Sequence, residues 1–93
     1  MIIKVIKKGQ EEFRINLEER GVSKEYVVTL EESYYQDLTQ GKITKEELIH
    51  KSFMFLLERE PKESILSTFD LTIIKRYFPE FEEEIRKAIK QNQ

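Results

Sequence analysis

The sequence predicts an α+β fold: an amino-terminal antiparallel β-meander of about three strands, followed by four to five α-helices packed as one domain. Three observations carry this expectation. The segment Phe13-Arg-Ile-Asn-Leu17 alternates strictly between apolar and polar residues, the two-residue period of a half-buried strand. From Thr29 onward the pattern turns helical, with two threonine–glutamate capping patterns, Thr29-Leu-Glu-Glu32 and Thr44-Lys-Glu-Glu47. The chain has 93 residues, enough for one hydrophobic core and few for two. Residues 1–93 therefore form a single domain, with 1–30 mostly strands, 31–90 mostly helices and 91–93 a frayed tail.

Each element has a local reason. Ile2 to Lys7 is a short apolar run with β-branched residues, and Gly9 suits a hairpin turn after it. In the second strand Phe13, Ile15 and Leu17 share one face, with Arg14, Asn16 and Glu18 on the other. A turn at Glu19-Arg-Gly-Val-Ser23 leads into the third strand, Glu25 to Leu30. The Thr29 capping box opens a short helix to Thr39 that buries Tyr34 or Tyr35 with Leu38, and Gln40-Gly41 ends it.

The Thr44 box opens the strongest helix, which runs to about Glu60 and stops at Pro61. Its apolar face, Leu48, Ile49, Phe53, Leu56 and Leu57, is widened by Met54 and Phe55. So broad a stripe predicts contacts on more than one side, from neighbouring helices or from another subunit. Pro61 to Phe69 reads as a turn or short helix carrying Ile65, Leu66 and Phe69. Asp70 caps a helix over Leu71 to Phe78. Pro79 starts the last one, with Phe81, Ile85, Ala88 and Ile89 on one face and Glu82–Arg86 and Glu83–Lys87 as i, i+4 pairs.

Composition narrows the chemistry. The absence of cysteine removes disulfides, thiolate metal sites and cysteine nucleophiles. No stretch approaches the ~18 apolar residues of a membrane span. Lysines interrupt the apolar run of Met1-Ile-Ile-Lys-Val-Ile-Lys-Lys8, unlike a signal peptide, so a cytoplasmic protein without membrane attachment is expected. Sixteen basic residues against 18 acidic ones give no global attraction to nucleic acid. The 37% charged content, rich in Glu and Lys, is compatible with a thermophilic source.

Among candidate sites, Glu47-Leu-Ile-His50 has the i, i+3 spacing of di-iron helices, but one histidine per chain would require an oligomer to complete a metal centre. The bland reading assigns Glu47 to the capping box and His50 to the edge of the apolar face. The acidic runs Glu11-Glu12, Glu18-Glu19, Glu31-Glu32 and Glu82-Glu83-Glu84 fall in turns or first helical turns and read as solvated. Gly9, Gly21 and Gly41 are taken up by turns and a helix end, leaving none for a phosphate loop. Lys4, Lys7 and Lys8 are expected to shield an edge strand. The aromatic clusters Tyr34-Tyr35 and Tyr77-Phe78-Pro79-Glu80-Phe81 lie among acids, which favours core or protein contact over base stacking.

Two resemblances bear on function. Residues 25–60, read as strand, short helix, turn and capped helix, resemble the ribbon-helix-helix plan of dimeric DNA-binding repressors. That likeness implies a ribbon reading bases through Lys24, Tyr26, Val28 and Leu30, or through Glu25, Val27 and Thr29. Only Lys24 among them is basic, and two further strands precede the segment. The string Phe53-Met-Phe-Leu-Leu-Glu-Arg-Glu-Pro61, with Ser64-Ile-Leu66, Phe69-Asp-Leu71, Ile74 and Tyr77-Phe-Pro-Glu80, resembles a family of small uncharacterised bacterial and archaeal proteins over about 25–84. It implies that Glu60-Pro61 and Phe78-Pro79-Glu80 are architectural and brings no activity.

The leading expectation is a non-catalytic interaction or regulatory module. It acts through an apolar helical surface comprising Met54, Phe55, Tyr34 and Tyr35, on a protein partner or a second copy. No catalytic residue, cofactor or metal is assigned. The alternatives are the DNA-binding dimer, with nucleic acid the less favoured partner, and a metal-dependent enzyme using Glu47 and His50 in an oligomer.

Overall fold

The alternation over residues 13–17 builds an interior strand of a four-stranded sheet in the computed structural model, whose described residues are 1–91. Strands β1 (Ile2–Lys7), β2 (Glu12–Glu19) and β3 (Val22–Thr29) form the expected antiparallel meander. A three-residue strand, β4 (Thr68–Asp70), adds to β3 in parallel and gives the order β1-β2-β3-β4. The helices are α1 (Glu32–Thr39), α2 (Lys45–Leu57), α3 (Ile74–Tyr77) and α4 (Phe81–Gln91), with single 3₁₀ turns at Lys62–Ser64 and Leu71–Ile73. None of the described helices is long and apolar enough to cross a membrane.

Hydrogen bonding assigns each strand edge. Lys8 N–H donates to the Glu12 carbonyl at 2.9 Å, and Leu30 N–H to the Glu11 carbonyl at 2.8 Å. Antiparallel bonding alternates along a strand, so even residues of β2 bond β1 and odd ones bond β3. By the same register, Ile2, Lys4 and Ile6 bond β2, while the backbone groups of Ile3, Val5 and Lys7 point to the open edge. The β2–β3 hairpin turns on Arg20 and Gly21, both left-handed at φ 54° and 80°, matching the primed turn that fits twisted strands.

One face of the sheet is dry. Phe13, Ile15, Leu17, Tyr26 and Val28 are fully buried on it. Helix α2 lies between this face and the carboxy-terminal segment. Phe53 meets Tyr26 edge-on at 5.2 Å and Phe69 at a tilt at 6.0 Å, while Phe55 meets Phe81 at 5.1 Å and Phe78 at 5.9 Å, both edge-on. The broad stripe of α2, Met54 excepted, is thus covered within the chain. Pair geometries of this kind add roughly 0.5–1.5 kcal/mol each to the burial of the rings.

Four expectations need correction. Thr29 does not cap a helix: it ends β3, and its hydroxyl donates to Asp70 Oδ1 at 2.7 Å. Helix α1 starts at Glu32 behind Glu31, and the Glu11 carboxylate, just ahead of the neighbouring strand β2, accepts the Glu32 N–H at 3.1 Å. Helix α2 stops at Leu57 rather than Glu60: ahead of Pro61 the Arg59 N–H turns to the Leu56 carbonyl three residues back, while the Arg59 guanidinium takes the Phe55 carbonyl. The Pro61–Phe69 stretch, expected as a turn or short helix, makes a 3₁₀ turn at Lys62–Ser64 but then extends into β4 from Thr68. Of the expected frayed tail, Gln91 is helical and residues 92–93 lie outside the described residues. The Thr44 capping box forms in full, with Glu47 N–H donating to Thr44 Oγ1 and Thr44 N–H to Glu47 Oε1.

Candidate interaction surface

The four residues expected to make an interaction surface have different fates. Met54 is 53% exposed on the solvent side of α2, whereas its neighbour Phe55 is only 5% exposed. Tyr35 is buried, with its hydroxyl donating to the Ile43 carbonyl. Tyr34 is half-buried and donates to Glu82 Oε2 at 2.9 Å, tying α1 to α4. Burial, and then this bond to an anion, raises its pKa well above that of a free phenol. Met54 is therefore the only one of the four to offer a free apolar face, and the continuous surface is not assembled. The physical reason is the second aromatic layer, Phe78 and Phe81, which covers Phe55.

Of the Glu47–His50 pair, Glu47 serves the capping box and His50 is half-buried on α2. The Glu47 carboxyl is held below its ordinary range by the Thr44 backbone and hydroxyl bonds of the capping box. Among the described residues, no three His, Cys, Asp or Glu side chains stand close enough to share a metal ion. Strand β3 also departs from the ribbon geometry. Both of its edges are occupied, by β2 and β4, and Tyr26 and Val28 are buried under the helices.

A different surface emerges where α2 ends. A groove of about 330 Å³ runs between the end of α2, the Ser64–Leu66 segment, Phe69 of β4 and helix α3. Its floor is Leu56, Ile65, Phe69 and Ile74, all buried. At its mouth stand Leu66, 51% exposed, and Tyr77, 66% exposed, with Ile73 and Phe78 half-buried between them. Glu60 and Ser64 supply the polar rim. The volume lies at the small end of the roughly 300–1,000 Å³ of ligand pockets.

The walls are fastened independently of any occupant. Tyr26 Oη donates to the Lys62 carbonyl at 2.7 Å, and burial pushes this phenol's pKa up to about 12. Lys62 Nζ reaches back to Glu19 at 2.9 Å, a bond that lowers the Glu19 carboxyl and raises the Lys62 ammonium. On the other side, the Arg59 guanidinium stacks 3.6 Å from the Phe55 ring and donates to Glu80 at 3.1 Å. Glu80 is held below its usual range by its own backbone N–H and then by Arg59. Asp70 closes the end of β4. Burial opposes its charge, but bonds from the Thr72 hydroxyl, the Thr29 hydroxyl and the Thr72 N–H prevail and lower its pKa. Walls held this way lose little freedom when the groove is filled.

Sequence reasoning missed this groove because its lining comes from three separated segments. One signal was available: Ile65-Leu66 and Tyr77-Phe78 are adjacent apolar pairs, and two successive side chains do not both point into one core face. No protein-family model, curated protein or solved structure matches the chain, so the chemistry of this surface carries the functional reading.

Proposed function

We propose that the chain is a non-catalytic interaction module that receives apolar side chains of a partner protein in the groove between α2, β4 and α3. One observation supports this above others: Leu66 and Tyr77 stand more than half exposed at the mouth of an apolar groove whose walls are already pinned. Large apolar side chains gathered at one concave place mark a binding surface more often than scattered ones do. An aromatic anchor beside an aliphatic one is also the usual composition of an interface centre. The groove's polar groups, Glu60 and Ser64, sit at the rim and leave the floor free for apolar contact.

The test places a photo-crosslinking phenylalanine analogue at position 77 in the producing cell, with the same analogue at Glu25 as the control. Discrete adducts from position 77 that disappear when Leu66→Glu is added support the reading. Adducts of equal pattern and yield from both positions, or none from position 77, refute it.

A further inference from the structure

The open edge of β1 carries a second and independent surface. We infer that the chain self-associates through antiparallel pairing of β1 with β1 of a second copy, about a two-fold axis at Lys4, giving a continuous eight-stranded sheet.

Three observations converge on a second copy as the occupant. The first is backbone chemistry. The hydrogen-bond alternation directs the N–H and C=O groups of Ile3, Val5 and Lys7 away from β2, into a six-residue edge that no other strand among the described residues pairs. The second is exposure. Ile2 and Ile6, on the outer face of the sheet, are 51% and 48% exposed, and Ile3 and Val5 on the inner face are covered only in part. The third is self-complementarity. Ile2-Ile-Lys-Val-Ile6 is a near-palindrome in character about Lys4.

A two-fold at Lys4 places Ile2 opposite Ile6 of the second copy and Ile3 opposite its Val5, each pairing occurring twice. The Ile3–Val5 pairs are hydrogen-bonded pairs, as their outward backbone groups require, and Lys4–Lys4 is a non-bonded pair on the solvent face. Moving the axis by one residue instead sets Lys4 against Ile6 and Ile3 against Lys7, or Ile2 against Lys4, and loses the apolar matching. The lysines that shield the edge therefore also select one register: the cost is a single like-charge pair whose long side chains splay into water. A six-residue edge is a small contact, below the ~1,200 Å² of a standard interface, so the dimer is a weak one.

The chain lacks cysteine, which permits a clean test by single substitutions. Non-bonded antiparallel pairs stand about 4.5 Å apart between Cα atoms, within the span of a disulfide. In a glutathione buffer, Lys4→Cys is expected to form a disulfide dimer at least about tenfold faster than Glu25→Cys, because pairing raises the effective thiol concentration. Ile2→Cys alone is expected to match the slow control, while a mixture of Ile2→Cys with Ile6→Cys yields the mixed dimer. Adding Val5→Pro removes an outward N–H and should abolish the Lys4→Cys dimer, with the circular-dichroism spectrum retained. Adding Leu66→Glu should leave crosslinking unchanged, which separates this edge from the groove. Equal rates for Lys4→Cys and Glu25→Cys, or rapid self-linking of Ile2→Cys, overturn the proposal.

Discussion

Replacing Phe55 by alanine tests whether the broad face of α2 is core or interface. The ring is 5% exposed, meets two aromatic partners edge-on at 5.1 and 5.9 Å, and carries the Arg59 guanidinium at 3.6 Å. Burial of the side chain contributes roughly 2 kcal/mol. The two ring pairs add about 0.7 kcal/mol each, and the cation contact about as much again. The total of about 4 kcal/mol lies inside the roughly 3–5 kcal/mol typical of buried Phe→Ala changes. A chain of this length has a stability of about 5–14 kcal/mol, so the loss is a large fraction of it. Urea unfolding followed by circular dichroism should show a lower midpoint at an unchanged slope. The melting temperature should fall by about 15–30 °C. Met54→Ala, one residue away and half exposed, should stay within about 0.5 kcal/mol of the parent. A Phe55→Ala loss below about 1 kcal/mol, or equal losses at the two positions, would refute the packing argument.

Other perturbations follow from single contacts. Thr44→Ala removes the complete capping box and should cost about 1 kcal/mol in urea unfolding; no change would mean that the box carries no stability. The folded-state pKa of Tyr34 is raised, so its contribution is full below the unfolded value of 10.0 and is lost as pH rises through the folded value. Tyr34→Phe should therefore flatten the alkaline fall in stability above pH 10.0, seen in melting curves against pH. Asp70 has the opposite sign: its lowered pKa gives stability that is present above pH 3.8 and lost as pH falls through the folded value. The gap in melting temperature between the parent and Asp70→Asn should close in acid, and a constant gap would contradict this. Arg20 holds φ 54° in the β2–β3 turn, a conformation asparagine tolerates better, so Arg20→Asn should raise stability by about 0.5 kcal/mol.

Residues whose partners are local were legible in the sequence. The alternation of Phe13, Ile15 and Leu17, the box at Thr44 and the Phe81–Ile85–Ile89 stripe each sit where their pattern predicts. The failures occur where a distant partner decides. Thr29 satisfies a local capping pattern, yet Asp70, far along the chain, takes its hydroxyl. Strand β4 has three residues and one buried side chain, Phe69, too short to show any period; its extended form is imposed by β3. For the site, the width of the α2 stripe was readable, but its cause was not. A second layer from the same chain and a separate subunit leave the same apolar signature on one helix. The groove was invisible for a related reason, since Leu56, Leu66 and Tyr77 meet only after the chain has crossed over.

That crossover sets an order of events. Strands β1 to β3 are joined by short turns, so their pairing closes small loops, whereas β4 reaches β3 only after residues 30–67 have been laid down as α1 and α2. Closing a longer loop costs more entropy and yields here only three residues of ladder, anchored at its start by Val27 N–H on the Ser67 carbonyl. The meander is thus expected to form early and β4 to dock late. By the same energetics β4 is the strand that opens first from the native state, and amide exchange at Val27 and Thr29 should outpace that at Ile15 and Val28. Because Phe69 of β4 also forms the groove floor, anything that fills the groove clamps the sheet's last and loosest strand. Occupancy would then be reported at the β3 amides behind the floor, as a slowing of exchange in a strand that does not line the groove.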